Sequence, residues 1–280
     1  MQGPAGNQRL FGRQANIALE SRQWGKITLG RQNTQMITWM NKYNPFVNAN
    51  FSSIKRIDPA FADRMDNAVK YENRLGDVTV AGYYSFGWNN DQDWADDKLG
   101  RMAGGGIRYN PGALDMALLY HSKHANNPAN GASSDNREDR AVAGVSLKLN
   151  PLTFYGGYRW LEQELADREL TSHLYWLGTQ FEITPASRLS FAAFHLDGTV
   201  CSNLNAASCP AAHASESQRP TLLVVGKEYD FSRRTTLYTN AAYAANDRGS
   251  SVSVIGGGYG ANVDPGEDQF GLIVGLRHRL

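Results

Sequence analysis

The 280 residues carry 28 Lys and Arg against 27 Asp and Glu, a net charge of +1, and 41% of them are hydrophobic. So balanced a charge gives no bulk attraction to nucleic acid, which excludes that class of partner. A mean hydropathy of −0.47, with Leu222–Val225 as the longest aliphatic run, excludes spanning helices, which need ~18 apolar residues in a row.

No composition break or linker divides the chain, so residues 1–280 read as one domain. Met1–Leu10 is polar and lacks the apolar core of a signal peptide. From Phe11 onward, thirteen strand-like segments follow one another. Their connections alternate between short and long. The short ones are Ser21–Trp24, Leu75–Gly76, Asn110–Pro111, Asn150–Pro151, Thr184–Ser187 and Ser232–Arg233. The long ones are Gln32–Asp66, Trp88–Gly100, Lys123–Glu138, Glu162–Leu170, Thr199–Arg219 and Asn246–Glu267. Tight turns at one end and long loops at the other are the wiring of an antiparallel up-and-down transmembrane β-barrel. A Greek-key sandwich would not sort its loops this way.

Gln32–Asp66 is the first long connection, and so long a segment without regular structure in a compact domain is usually functional. It carries Lys55, Arg56, Asp58, Asp63, Arg64 and Asp66, and Asp58–Met65 has the pattern of a short helix. Beyond it, Lys70, Glu72 and Arg74 alternate on one face. Alternation is clearest in Leu152–Leu161, where Leu152, Phe154, Gly156, Tyr158 and Trp160 oppose Thr153, Tyr155, Gly157 and Arg159. It recurs in Arg234–Ala245 and in the last segment, where Phe270, Leu272, Val274 and Leu276 oppose Gly271, Gly275, Arg277 and Arg279. Period two with one apolar face is a half-buried strand. A sandwich core would not take these arginines; a wet lumen would. Arg108 and Lys148 share that parity. These cations form either an anion-attracting wall or simply a lumen kept wet, and both readings stay open. Lys227 breaks the pattern by sharing a face with Val225 and Tyr229, which points to an interface position or a bulge. Tyr84, Phe86, Tyr109, Tyr120, Trp160, Phe181, Tyr229 and Phe231 gather near strand ends, as in aromatic girdles.

Cys201 and Cys209 lie eight apart in one polar loop with only His213 near. A metal site needs more ligands, so a small loop disulfide in an oxidising compartment is expected. His121 and His124 have near-ligand spacing but no third partner, which points to the rim. The glycine runs at Gly104–Gly106 and Gly256–Gly260 do not open a helix after a strand and are not phosphate loops. No Gly-x-Ser-x-Gly or carboxylate pair suggests an enzyme, and no cofactor is implied.

Five segments in order resemble the general trimeric porins of Gram-negative outer membranes, of the neisserial and burkholderial type: Arg9–Gln14 (RLFGRQ), Gly25–Gln32 (GKITLGRQ), Arg64–Tyr71 (RMDNAVKY), Phe231–Tyr238 (FSRRTTLY) and the ending Gly275–Leu280 (GLRHRL). The resemblance implies an outer-membrane channel for passive diffusion of small hydrophilic solutes. It implies a sixteen-strand barrel, of which thirteen strands stand here, with Phe11–Glu20 matching the fourth. The first three strands and the signal peptide are then absent. An odd count sends the first and last strands in one direction, so an open barrel edge is expected. The resemblance also implies that the loop over residues 32–66 folds inward as a constriction, with Arg64 as its constriction arginine and the loop acids facing wall bases. Membrane lipids, lipopolysaccharide, the barrel-insertion machinery that reads the last strand, and two further copies in a homotrimer are the implied partners. Leu280 stands where the family usually has Phe. The alternative is a barrel surface or adhesion protein without channel activity.

Overall fold

The computed structural model describes residues 12–47, 49, 51–87, 98–126, 134–201, 204–205, 217–255 and 263–279. Phe11, Cys209, His213, the Gly256–Gly260 run and Leu280 lie outside the described residues. The strands are β1 (Ala15–Ser21), β2 (Gly25–Asn33), β3 (Arg64–Leu75), β4 (Val78–Ser85), β5 (Met102–Tyr109), β6 (Leu114–His124), β7 (Arg137–Leu149), β8 (Leu152–Leu165), β9 (Arg168–Thr184), β10 (Ser187–Gly198), β11 (Thr221–Asp230), β12 (Thr235–Ala245) and β13 (Gln269–His278). Each pairs antiparallel with the next, in one thirteen-stranded sheet of sequential order. No β1–β13 pair occurs among the described residues. No described helix is long and apolar enough to cross a membrane.

Burial follows the period-two pattern. On β8, Arg159 and Leu161 are buried while Phe154 on the opposite parity is exposed. On β9, Leu174 and Trp176 are buried, whereas Leu177 is 72% exposed. The exposed set continues around the sheet through Ile17, Leu29, Val69, Leu118, Val145, Phe191, Leu223 and Leu272. An apolar band on the outer face and a polar or buried inner face make a wall that belongs in lipid. Lys227 lies exposed on that outer face, opposite Leu189 and Thr239, with no register shift in its ladders. It stands three residues before the end of β11, where its long stem can carry the ammonium to the interface.

Most of the expected connections stand, with one correction. Glu162–Leu170 is not a long loop. β8 and β9 continue through it, pairing down to Leu165↔Arg168, so only residues 166–167 turn. The hairpin therefore rises further than its neighbours. Similarly, Lys123 and Glu138 are strand residues of β6 and β7 and pair with each other.

The 34–63 connection contains α1 (Gln35–Thr38) and three 3₁₀ turns, Met40–Tyr43, Ile54–Arg56 and Pro59–Ala62. The expected helix over Asp58–Met65 is only the last of these, because Arg64 and Met65 already belong to β3. The loop leaves β2 at a register shift between Gly30 and Gln32, a bulge of the kind that re-aims a strand end. It then packs on the inner face. Met36, Met40, Tyr43, Ile54 and Phe61 join Leu119, Val142, Leu174, Trp176, Phe194, Leu222 and Val224 from β6 to β11 in one buried cluster. The sheet wraps round its own loop.

Candidate pore constriction

Wall glycines seat the loop. A Cβ at Gly144 on β7 would stand 2.2 Å from the Tyr43 ring. One at Gly178 on β9 would meet Pro45 at 2.8 Å, and one at Gly226 on β11 would meet Phe46 at 2.6 Å. At Gly271 on β13, Phe51 would be 3.1 Å away. The loop thus crosses the inner wall from β7 to β13, each ring in a slot that any side chain would fill. Polar contacts fix the same path. Trp176 donates its indole N–H to the Tyr43 carbonyl at 2.8 Å, and the Tyr43 hydroxyl donates to Asp115 at 2.9 Å. Phe61 meets Trp176 edge-on, with centroids 5.7 Å apart.

The returning limb is held by charge. Asp58 caps the 59–62 turn, accepting from the Ala60 N–H at 3.0 Å. It also accepts from Arg140 at 3.0 and 3.1 Å and forms an ion pair with Arg159 at 2.9 Å. Arg140 pairs further with Glu138 at 2.8 Å, and Arg159 donates to the Ser172 carbonyl and hydroxyl at 3.0 and 2.8 Å. All six residues are buried. Burial alone would raise the Asp58 carboxyl, but Arg140 and Arg159 outweigh it and hold it well below the usual carboxylate range. Next along, Asp63 pairs with Lys123 at 2.6 Å, and Asp66, a β3 residue, pairs with Arg31.

Asp58, Asp63 and Asp66 thus face wall bases, in closed ion pairs and not across an open gap. Each is spent on a wall cation. Arg159 has the expected inward parity but is dry, closed in with Asp58. By contrast, Lys55, Arg56 and Arg64 lie near one another at the base of the loop. Arg13 and Arg31 are within electrostatic reach of Arg64. The Arg64 Nε is buried with no hydrogen-bond partner among the described residues. Partial burial, then Arg56, Arg64 and Arg13, push the Lys55 ammonium below its ordinary value.

A cavity of about 640 Å³ opens beside the loop, against the inner face of β1–β5. Lys26, Lys42, Lys70, Arg74 and Arg108 line it, against Glu72 and Asp77. Lys42 comes from the loop itself, and burial, then Arg108, lower its pKa. Arg108 is held to Asp115 by a 2.8 Å hydrogen bond, and Arg74 to the Gly76 carbonyl at 2.9 Å. The remaining expected wall residues lie elsewhere. Lys148 sits 4.0 Å from Glu182 and is well exposed. Arg277 pairs with Glu228 at 3.1 Å. Arg279 is exposed, its backbone N–H bonded to the Arg234 carbonyl at 2.9 Å.

Arg140, Glu138 and Lys123 were not anticipated. Arg140 shares parity with Val142, Gly144 and Lys148, so extending the β7 alternation upward would have found it. His121 is also inward and fully buried rather than at the rim, its Nδ1 2.6 Å from the Tyr83 hydroxyl. Cys201 is buried and disulfide-bonded.

Comparison with known proteins decides the family. The Gram-negative porin family matches residues 2–249. The chain belongs to the Gram-negative porins. An outer membrane porin protein of Bordetella pertussis is 26% identical over 85% of this chain and 68% of its own length. Outer membrane porin protein 32 of Delftia acidovorans is 25% identical over 96% of this chain and 74% of its own. Among solved structures, the anion-selective porin from Comamonas acidovorans superposes with a TM-score of 0.75 at 20% identity, covering 96% of this chain and 78% of that one. OmpT of Vibrio cholerae in a trimer form gives 0.67 at 14% identity, covering 95% and 80%. This porin is an outer-membrane channel protein, and its barrel fold is the one those structures share.

Proposed function

We propose that the 34–63 loop is the constriction of this porin and that the channel passes small hydrophilic solutes with a preference for anions. The observation that carries the preference is the fate of the acids in and just after the loop. Asp58, Asp63 and Asp66 are neutralised by Arg140, Arg159, Lys123 and Arg31. Five cations and two acids among the described residues line the cavity beside the loop, and with Arg108 paired to Asp115 and Lys26 to Glu20, Lys42, Lys70 and Arg74 are left against Glu72 and Asp77. Lys55, Arg56 and Arg64 add positive potential at the loop base. In a narrow wet passage, fixed charge of one sign selects counter-ions.

The assignment extends to the rest of the chain's biology. The protein works as a homotrimer, with its outer apolar band against membrane lipid and lipopolysaccharide, and its last strand is read by the insertion machinery. Cys201 pairs with Cys209 to tether an external loop. The protein performs no catalysis. The test of the central reading is the reversal potential of the reconstituted channel across a tenfold KCl gradient. The sign for chloride over potassium is expected, moving toward zero in Arg64→Gln and in Lys42→Gln. A cation preference, or a potential indifferent to both substitutions, would overturn it.

A further inference from the structure

The loop divides the interior into two unlike chambers. Opposite the cationic cavity lies a second one of about 920 Å³ against β9–β13. Phe46, Val47 and Phe51 from the loop and Tyr238, Ile273 and Arg277 from the wall line it. Ile273 occupies an inward position of β13, where a wet lumen calls for a polar side chain. Val47 is 50% exposed and adopts φ 53°. A β-branched residue in the left-handed region is a genuine outlier, and such conformations cluster at ligand clamps. Here the backbone is held so that an isopropyl group faces the chamber.

Among the described residues that line this chamber, Glu228 and Arg277 carry the charge, beside Gln180, Ser190, Asn240 and His278. Both oxygens of Glu228 are already engaged, one by Arg277 at 3.1 Å and the other by Arg188 at 3.0 Å. Arg188 is further tied to Asp230 at 2.8 Å. The acid therefore has little left to offer a solute. Among the described residues Arg277 donates to Glu228 alone, and it is about half exposed, so most of its guanidinium N–H donors face the chamber's solvent. Unused donors beside an apolar surface fit a carboxylate with an apolar body.

We propose that this chamber is a subsite for small aryl or alkyl carboxylates. The apolar body lies against Val47 and Ile273, and the carboxylate meets Arg277. The inference rests on the anion preference above only for the sign of the solute's charge.

The test is current block of the reconstituted channel by benzoate, with acetate and benzyl alcohol as controls. Two variants probe the apolar surface without threatening the fold. Val47→Asn suits the left-handed backbone better than valine does, and Ile273→Thr keeps a β-branched residue in the strand. We expect concentration-dependent block by benzoate and none by acetate or benzyl alcohol. Each variant should weaken the block by roughly threefold to tenfold, the loss of one or two buried methyl contacts. The KCl reversal potential should not move. Benzoate that passes like acetate, or a block unchanged in both variants, would overturn the subsite. Equal block by benzyl alcohol would overturn the carboxylate part. A channel lacking anion preference, yet blocked by benzoate in a Val47-dependent way, would refute the preference and leave the subsite standing.

Discussion

The inner faces of β7–β8 and of β3–β5 carry the same kinds of side chain and treat them in opposite ways. Arg140 and Arg159 on the first are sealed under the loop with Asp58, almost without solvent. Lys70, Arg74 and Arg108 on the second line an open cavity. Strand parity alone makes these residues equivalent. The difference comes from the loop, which lays Tyr43, Phe61 and Asp58 on one part of the wall and leaves the other bare. A cation under the loop stabilises the constriction, and a cation beside it sets the field that a solute meets.

The contrast is sharpest under substitution. Asp58→Ala leaves two buried guanidinium groups without their shared carboxylate, and breaking such a pair costs about 3–5 kcal/mol. The expected outcome is a lower unfolding temperature and noisier single-channel current as the loop loosens. Gly144→Ala comes next. Its Cβ would fall 2.2 Å from Tyr43, and overpacking of this kind costs about 1–3 kcal/mol. Thermal unfolding should register it, and Gly144→Ala combined with Tyr43→Leu should recover part of the loss. On the wet side, Lys42→Gln should leave the unfolding temperature unchanged. It should shift the chloride to potassium permeability ratio by about 1 kcal/mol, the Coulomb energy of one close charge in water.

The smallest effect is in pH. Lys42 and Lys55 are lowered from the ordinary 10.5, so they lose charge earlier than free lysine as pH rises. Anion preference should weaken on the alkaline side before 10.5 is reached, as reversal potentials at stepped pH would record. On the acid side the clamp behaves oppositely. The Asp58 carboxyl is depressed from 3.8, so its contribution is complete above that value and is lost only as pH falls well below it. Conductance noise should therefore stay flat through mildly acid pH.

Much of the wall was legible because lipid enforces it. The alternation in β8, β12 and β13 exists because one face must be apolar, and the short turns mark where each strand reverses. Where that pressure ends, the signal ends. Glu162–Leu170 reads as loop because its residues are mostly charged or polar, yet the ladder of β8 and β9 continues through it, with Gln163 and Leu170 buried. Lys123 and Glu138 escaped notice for a related reason, since they bound a segment that reads as polar connection, and Arg140 stands just past its end. Alternation gives the face of Arg64 or Arg159 but not its partner. Partners depend on where residues 34–63 lie in space, and that path is written in wall glycines 144, 178, 226 and 271, far from the loop in sequence.

One measurement tests the wet and dry division most directly. Cysteines are placed one at a time at Thr79 on β4 and Val142 on β7, both inward and both strand residues. Thr79 lines the cationic cavity, and Val142 is buried beneath the loop. Each open channel is then exposed to a water-soluble, negatively charged thiol reagent, and the rate of current loss is recorded. The account predicts rapid modification at Thr79→Cys with a fall in current, and none at Val142→Cys. Equal rates at the two positions would contradict it, because the loop would not then cover the β7 wall.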